Sequence, residues 1–184
     1  MLKNNFVRIA IGTVLLLLIP LVLTLTGSGV DGIGWHWTLM DFVFMFVLIF
    51  GTGSLFELAR THYTGNSTYT IAAGLALADT FLLVWINAAV GIIGDSDINA
   101  LYWLVVITLF LGGAASRFKP QGLSLTLFAA AGVQMLIPVI AFIINQPDFS
   151  PGVVHVFMIN ATFAAIFIAS GLLFRARAQA SKIA

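Results

Sequence analysis

The chain has 184 residues, of which 60% are hydrophobic and only 8% charged, and its mean hydropathy is +1.07. Soluble domains carry about 25% charged residues, so a chain this poor in charge would not stay dispersed in water and belongs in a bilayer. The formal net charge of +1 says little by itself. The absence of cysteine excludes disulfides, thiolate metal sites, iron–sulfur clusters and a cysteine nucleophile.

The apolar runs are continuous and ~20 residues long, which is the signature of membrane-spanning helices. A β-barrel would instead show short segments of alternating polarity. The expected fold is therefore all-α: a single transmembrane domain over residues 1–184, built as a six-transmembrane-helix bundle with short loops. The expected spans lie at about 6–26, 37–59, 68–93, 98–116, 123–145 and 153–174.

The first run, Phe6 to Thr26, is opened by Lys3 and Arg8 and contains Pro20. No small-x-small cleavage site follows it, so an uncleaved span is expected, bent at the proline. A glycine-rich loop with Asp31 leads to the second span, which begins at Trp37 beside Trp35 in the manner of an interfacial aromatic belt. Asp41 lies one turn inside it, and Gly51 and Gly53 permit close helix approach. Glu57 and Arg60 sit three apart near its end and read as a snorkelling surface pair worth well under ~1 kcal/mol.

The third span holds Asp79 near its centre and Asn87 two turns further on, and it runs out into the acidic turn Gly94-Asp95-Ser96-Asp97. The fourth span carries no charge. Tyr102 and Trp103 mark its start, and Gly112-Gly113-Ala114-Ala115-Ser116 gives its end a smooth packing face. Arg117 to Pro120 makes a tight turn into the fifth span, which contains Gln134 and Pro138. Two prolines, Pro147 and Pro151, interrupt the next connection around Asp148. The sixth span carries His155, Asn160 and Thr162, and a basic tail follows with Arg175, Arg177 and Lys182.

Charge is sorted by side. With six spans and an inner N-terminus, the cytoplasmic segments hold Lys3, Arg8, Arg60, Arg117, Lys119, Arg175, Arg177 and Lys182, which are all 8 basic residues. The outer loops hold Asp31, Asp95, Asp97 and Asp148 and no basic residue. The positive-inside rule therefore puts both termini in the cytoplasm.

Depth can be counted at ~1.5 Å per residue. Asp79, Gln134 and Asn160 fall into one layer near the bilayer midplane, and Asp41 and Asn87 into a second layer about 10 Å outward, within reach of a hydrogen bond to each other. No lysine or arginine lies deep enough to neutralise Asp79. A central Asp costs about 2.5–3.5 kcal/mol on insertion scales, so the protonated, neutral acid is expected there. Asp79 is then either a polar clasp between helices, bonded to Gln134 or Asn160, or an acid that binds and releases a proton or cation. The ion-pathway candidates are Asp79, Gln134, Asn160, Asn87 and Asp41.

His36, His155, Asp95 and Asp97 gather on the outer side and are the weak candidates for a metal site, but none has a ligand spacing such as HxxxH. Haem ligation by His36 and His155 is disfavoured because both lie at helix ends. His62 reads as a solvated loop residue. There is no P-loop, Rossmann fingerprint, HExxH or GxSxG motif. The residue inventory points away from an enzyme, and no cofactor and no nucleic acid is expected. The basic inner segments attract anionic lipid at ~1 kcal/mol per charge.

The segments WTLMDFVFMFVLIFGTGSLFELAR and LALADTFLLVWINAAVGIIGDSDINALYW resemble a group of small, multi-spanning bacterial inner-membrane proteins. The likeness rests on Trp37, Asp41 and Phe42, on Phe-Gly-Thr-Gly at 50–53, and on Leu-Val-Trp-Ile-Asn at 83–87 running into Ala-Val-Gly-Ile-Ile-Gly. It covers spans two to five and not the sixth. It implies a bacterial inner membrane and supplies no catalytic residue, since the group has no assigned activity.

The leading functional expectation is an accessory or structural subunit of a membrane assembly, embedded in the lipid bilayer as a homo-oligomer or part of a larger complex. The alternative is a small transporter or channel that uses Asp79 as an intramembrane proton or cation site. A sealed, hydrogen-bonded Asp79 would favour the first. A polar cavity reaching it from one side would favour the second.

Overall fold

The computed structural model describes residues 2–27, 36–62, 66–144 and 152–183. The chain is all-α, and among the described residues six helical segments are long and apolar enough to cross a membrane. The helices are α1 (Leu2–Thr26), α2 (Leu39–His62), α3 (Ser67–Ala89), α4 (Tyr102–Ala115), α5 (Pro120–Ile144) and α6 (Val153–Ile183). They separate into two compact units, Met1–His62 and Tyr63–Ala184.

In the first unit α1 and α2 form an antiparallel hairpin. The amide of Asn5 donates to Glu57 Oε1 at 2.6 Å, and near the opposite end the Trp37 N–H donates to Thr24 Oγ1 at 3.4 Å. Between these points Gly53 lets α1 approach: a Cβ there would stand 2.9 Å from the Ile9 side chain. Gly51 faces open space instead. Glu57 is buried at 7% exposure, not spread on the surface as its spacing from Arg60 suggests. Arg60 Nη2 lies 3.0 Å from both its oxygens while Asn5 Nδ2 donates to Oε1, so the carboxylate is shared between the two helices. Asp31, in the connection between α1 and α2, lies outside the described residues.

In the second unit α3, α4, α5 and α6 make a four-helix bundle, with the core between α5 and α6 and between α3 and α6. Helix α3 starts at the Asn66 cap, whose side chain accepts from the Tyr69 N–H at 2.8 Å. Its antiparallel register on α6 is set by two contacts. Ser170 Oγ donates to the Ala72 carbonyl at 2.7 Å, and the Tyr69 and Phe174 rings meet edge to face at 5.0 Å. Tyr69 also donates its phenol to the Phe118 carbonyl at 3.0 Å, which ties the start of α3 to the turn between α4 and α5. In that turn Arg117 and Phe118 take left-handed backbone conformations, φ 51° and 59°, as the expected tight turn requires.

Small residues bring the helices together. A Cβ on Gly112 would strike Thr126, and one on Gly122 would strike Ser116, so α4 and α5 touch through glycine at two successive levels. Gly171 of α6 receives the Phe128 ring of α5 in the same way, at 2.9 Å from a would-be Cβ. Pro138 is buried inside α5 and the helix continues through it.

Two departures from the expected limits, at the ends of α3 and α6, have a visible cause. Helix α3 stops at Ala89, because Gly91 takes a left-handed conformation (φ 66°) and the chain folds back. The extended segment Ile92–Asp95 returns its two isoleucines to the core, at 2% and 1% exposure, and a 3₁₀ turn, Asp97–Leu101, leads into α4. Helix α6 runs on to Ile183, because Arg-Ala-Arg-Ala-Gln-Ala after Phe174 contains only good helix formers and no breaker.

The glycine contacts make a prediction. Gly122→Leu is expected to force α4 and α5 apart and to cost roughly 1–3 kcal/mol, read as a lower melting temperature of the detergent-solubilised protein. Gly132→Ala, which faces open space on the same helix, is the control and is expected not to lower it, since alanine is the better helix former.

Candidate functional site

The polar groups at mid-depth are sorted into a hydrogen-bonded cluster and an isolated acid. The cluster centres on Asn160 of α6, which is fully buried. Its Oδ1 accepts from Gln134 Nε2 of α5 at 3.0 Å and from the Tyr102 hydroxyl of α4 at 3.0 Å, and its Nδ2 donates to the Val156 carbonyl one turn back at 2.8 Å. One amide thus joins three helices. Of the expected layer of Asp79, Gln134 and Asn160, the two amides bond to each other, and Tyr102, which in the sequence only marks the start of the fourth span, joins their cluster at 2% exposure. The available signal was its hydroxyl: a buried tyrosine needs a partner for it.

Asp79 stands apart. It is 1% exposed, and neither carboxyl oxygen has a hydrogen-bond partner among the described residues. The Ser170–Ala72 contact fixes its level: seven residues along α3 from Ala72 and seven back along α6 from Ser170 put it opposite Phe163, about one turn from Asn160. The α6 residues around that level, Phe163, Ala164 and Phe167, are buried and apolar. In the adjoining layer Gln134 Oε1 is also buried and without a partner.

Asn87 lies two turns from Asp79 on the same face of α3, with Leu83 between them. Its Nδ2 donates to the Asn99 carbonyl at 3.1 Å, while its Oδ1 is buried without a partner. Asn99 organises the fold-back after α3. Its Oδ1 accepts from the Ile92 and Ile93 N–H groups at 3.1 and 3.0 Å, and its Nδ2 donates to the Gly94 carbonyl. Sequence reasoning passed over Asn99; the pair Gly91 and Gly94 just before it was the visible cue that a side chain had to hold that backbone.

A cavity of about 230 Å³ opens along the seam of α3 and α4, lined by Asn87, Asn99, Tyr102, Trp103 and Leu83 among others. Leu83, at 1% exposure, closes its deep end one turn short of Asp79. Asp79 is not among the residues that line it.

The remaining candidates sit elsewhere. Asp41 is exposed and caps α2: its Oδ2 accepts from the Thr38 N–H at 2.7 Å and the Thr38 hydroxyl at 2.8 Å. The hydrogen bonds of Asp41 therefore go to Thr38 and those of Asn87 to Asn99. His36, His155, Asp95 and Asp97 are all exposed, and among the described residues no three His, Asp or Glu side chains gather as a metal site would need. Asp148 lies outside the described residues.

Compared with protein-family models, curated proteins and solved structures, the chain matches none. Its function must be argued from its own geometry.

The Asn160 cluster predicts an unequal pair of effects. Tyr102→Phe removes one bond and leaves Asn160 Oδ1 with its other donor, so a loss near the ~0.6 kcal/mol average for interhelical hydrogen bonds in membranes is expected. Asn160→Leu strands both the Tyr102 hydroxyl and Gln134 Nε2 and is expected to cost about 1–3 kcal/mol or more. Thermal melting in detergent of the two variants checks the order.

Proposed function

We propose that this chain is a small transporter or channel of a bacterial inner membrane, with both termini in the cytoplasm, in which Asp79 is the intramembrane proton or cation site. The cavity between α3 and α4 stops short of Asp79, so the reading rests on a different observation: Asp79 is sealed in the bundle yet unpartnered, while Gln134 and Tyr102 both bond to Asn160 without it. An acid kept only to clasp helices would be spent on a hydrogen bond. The orientation rests on the placement of all 8 basic residues on one side.

The chemistry follows from the surroundings. A lone carboxylate at this depth is costly, so the resting form is the neutral acid, an O–H donor. The open acceptor of the adjoining layer is Gln134 Oε1. Release of the proton, or its exchange for a cation, requires water to reach the carboxyl. The cavity between α3 and α4 comes within one turn of it, and displacement of Leu83 would join the two. Asn87 and Tyr102 then line the path, and Asn160 and Gln134 stand beyond it.

A second reading, an accessory subunit within a homo-oligomer or larger membrane complex, is favoured by a different observation. The α1–α2 hairpin is a compact unit by itself, built of two helices apolar enough to cross a membrane, the composition of helix faces that meet lipid or another protein.

Reconstitution in proteoliposomes separates the readings. Wild-type protein is expected to carry a pH-dependent flux, and Asp79→Asn is expected to abolish it while melting within ~2 °C of wild type, since no hydrogen bond to Asp79 is lost. Undiminished flux in Asp79→Asn would exclude Asp79 as the coupling acid. A wild type that carries no flux and purifies only with another membrane subunit would establish the accessory role.

A further inference from the structure

A second cavity lies on the other side of the bundle, at the end that carries Arg117, Lys119, Arg175 and Arg177. It has a volume of about 340 Å³ and runs between the first two turns of α5 and the later part of α6. Its lining changes character along its length. Phe128 and Leu125 form an apolar floor, and Gln121, Arg175 and Gln179 form a polar rim.

Counted from the middle of α5 at Gly132, Phe128 lies ~6 Å, Leu125 ~10 Å and Gln121 ~16 Å towards this end. The hydrocarbon half-thickness is ~15 Å. The floor therefore sits at acyl-chain depth and the rim at head-group depth. Leu125 is 65% exposed, so the floor opens towards the lipid. Gly171 keeps the neighbouring stretch of α6 low, with Phe128 laid against it, and Arg175 follows one turn later.

The charge at the rim is uncompensated. Between Ile98 and the end of the chain the sequence has a single acid, Asp148, at the opposite end of α5 and α6. The one ion pair among the described residues is Glu57–Arg60, so the Arg175 guanidinium has no carboxylate partner there. The first turn of the 25-residue α5 opens on Pro120, which has no N–H, and bonds the Leu123 N–H to the Lys119 carbonyl, so it adds to the same rim the N–H groups of Gln121 and Gly122 and the positive end of the helix dipole.

We propose that this cavity is a binding site for one anionic phospholipid, with the phosphate at Arg175 and the rim amides and the upper acyl chain against Leu125 and Phe128. A free anion would gain nothing from the apolar floor. A choline lipid would bring its own cation to a rim that has no acid to receive it, so the preference is for net negative head groups.

The test uses the full chain, purified in mild detergent and titrated with phosphatidylglycerol or phosphatidylcholine under native mass spectrometry. Wild type is expected to retain one phosphatidylglycerol at least about fivefold more tightly than phosphatidylcholine, the ratio that one basic charge near an anionic surface provides. Arg175→Gln is expected to erase that preference. Leu125→Trp, which fills the floor from an exposed position and leaves the guanidinium in place, is expected to weaken both lipids. Arg8→Gln, in the first unit, is expected to change neither. Equal binding of the two lipids by wild type, an unaltered preference in Arg175→Gln, or full phosphatidylglycerol binding by Leu125→Trp would overturn the proposal. So would inorganic phosphate displacing the lipid at equal concentration, which would make the site an anion site alone.

Discussion

In hydrocarbon no water is present to satisfy a polar group, so each one that the chain buries must find its partner within the protein. The second unit is arranged around this constraint. Asn160 takes donors from α4 and α5 on one oxygen and returns its own N–H groups to the backbone of α6. Ser170 finds a carbonyl of α3, and Tyr69 finds a carbonyl in the α4–α5 turn. Among the described residues a few buried polar atoms remain without a partner, Gln134 Oε1 and Asn87 Oδ1 included, but only in Asp79, at 1% exposure, is a carboxyl left with neither oxygen bonded.

Those short bonds need close backbones, and the glycines provide them. Lipid tails are as apolar as leucine, so helices in a bilayer gain little from apolar contact as such and associate through shape and hydrogen bonding. At Gly112 and Gly122 the side chains of Thr126 and Ser116 occupy the space a Cβ would need. Tyr102, at the start of α4, reaches within 3.0 Å of an amide on α6. Shape and polarity thus act at different levels: glycine contacts join the late part of α4 to α5, and the Asn160 cluster joins the start of α4 to α5 and α6.

How much of this could be read from the sequence follows from which physical signal each feature leaves. The six spans were legible because ~20 apolar residues in a row have few alternatives. The polar layer was legible as depth: Gln134 and Asn160 could be placed at one level by counting, and they bond. Counting could not say which residues share a face, so Tyr102 was read only as the start of the fourth span and Asp79 was grouped with amides that do not bond to it. Asp41 and Asn87 lie at similar depth by counting, but each is held locally, by Thr38 and by Asn99. The end of α3 was placed late because Val90 to Ile93 are apolar, and hydropathy does not distinguish a helix from an extended segment that returns to the core. Glu57 shows the same limit in reverse. Its spacing from Arg60 is that of a surface pair, and only the arrival of Asn5 from α1 makes it a buried interhelical bond.

The two ends of the second unit are joined by different means. At one end the phenol of Tyr69 binds the Phe118 carbonyl within a turn whose two non-glycine residues already hold left-handed conformations, and glycine contacts weld α4 to α5 just beyond it. At the other end α3 and α4 meet sparsely, around a void, and a single asparagine carries the backbone between them. A body fastened in this way is a clothes-peg: its spring is at the Tyr69 end, and any widening must begin at the jaws beside Asn99 and narrow towards the spring.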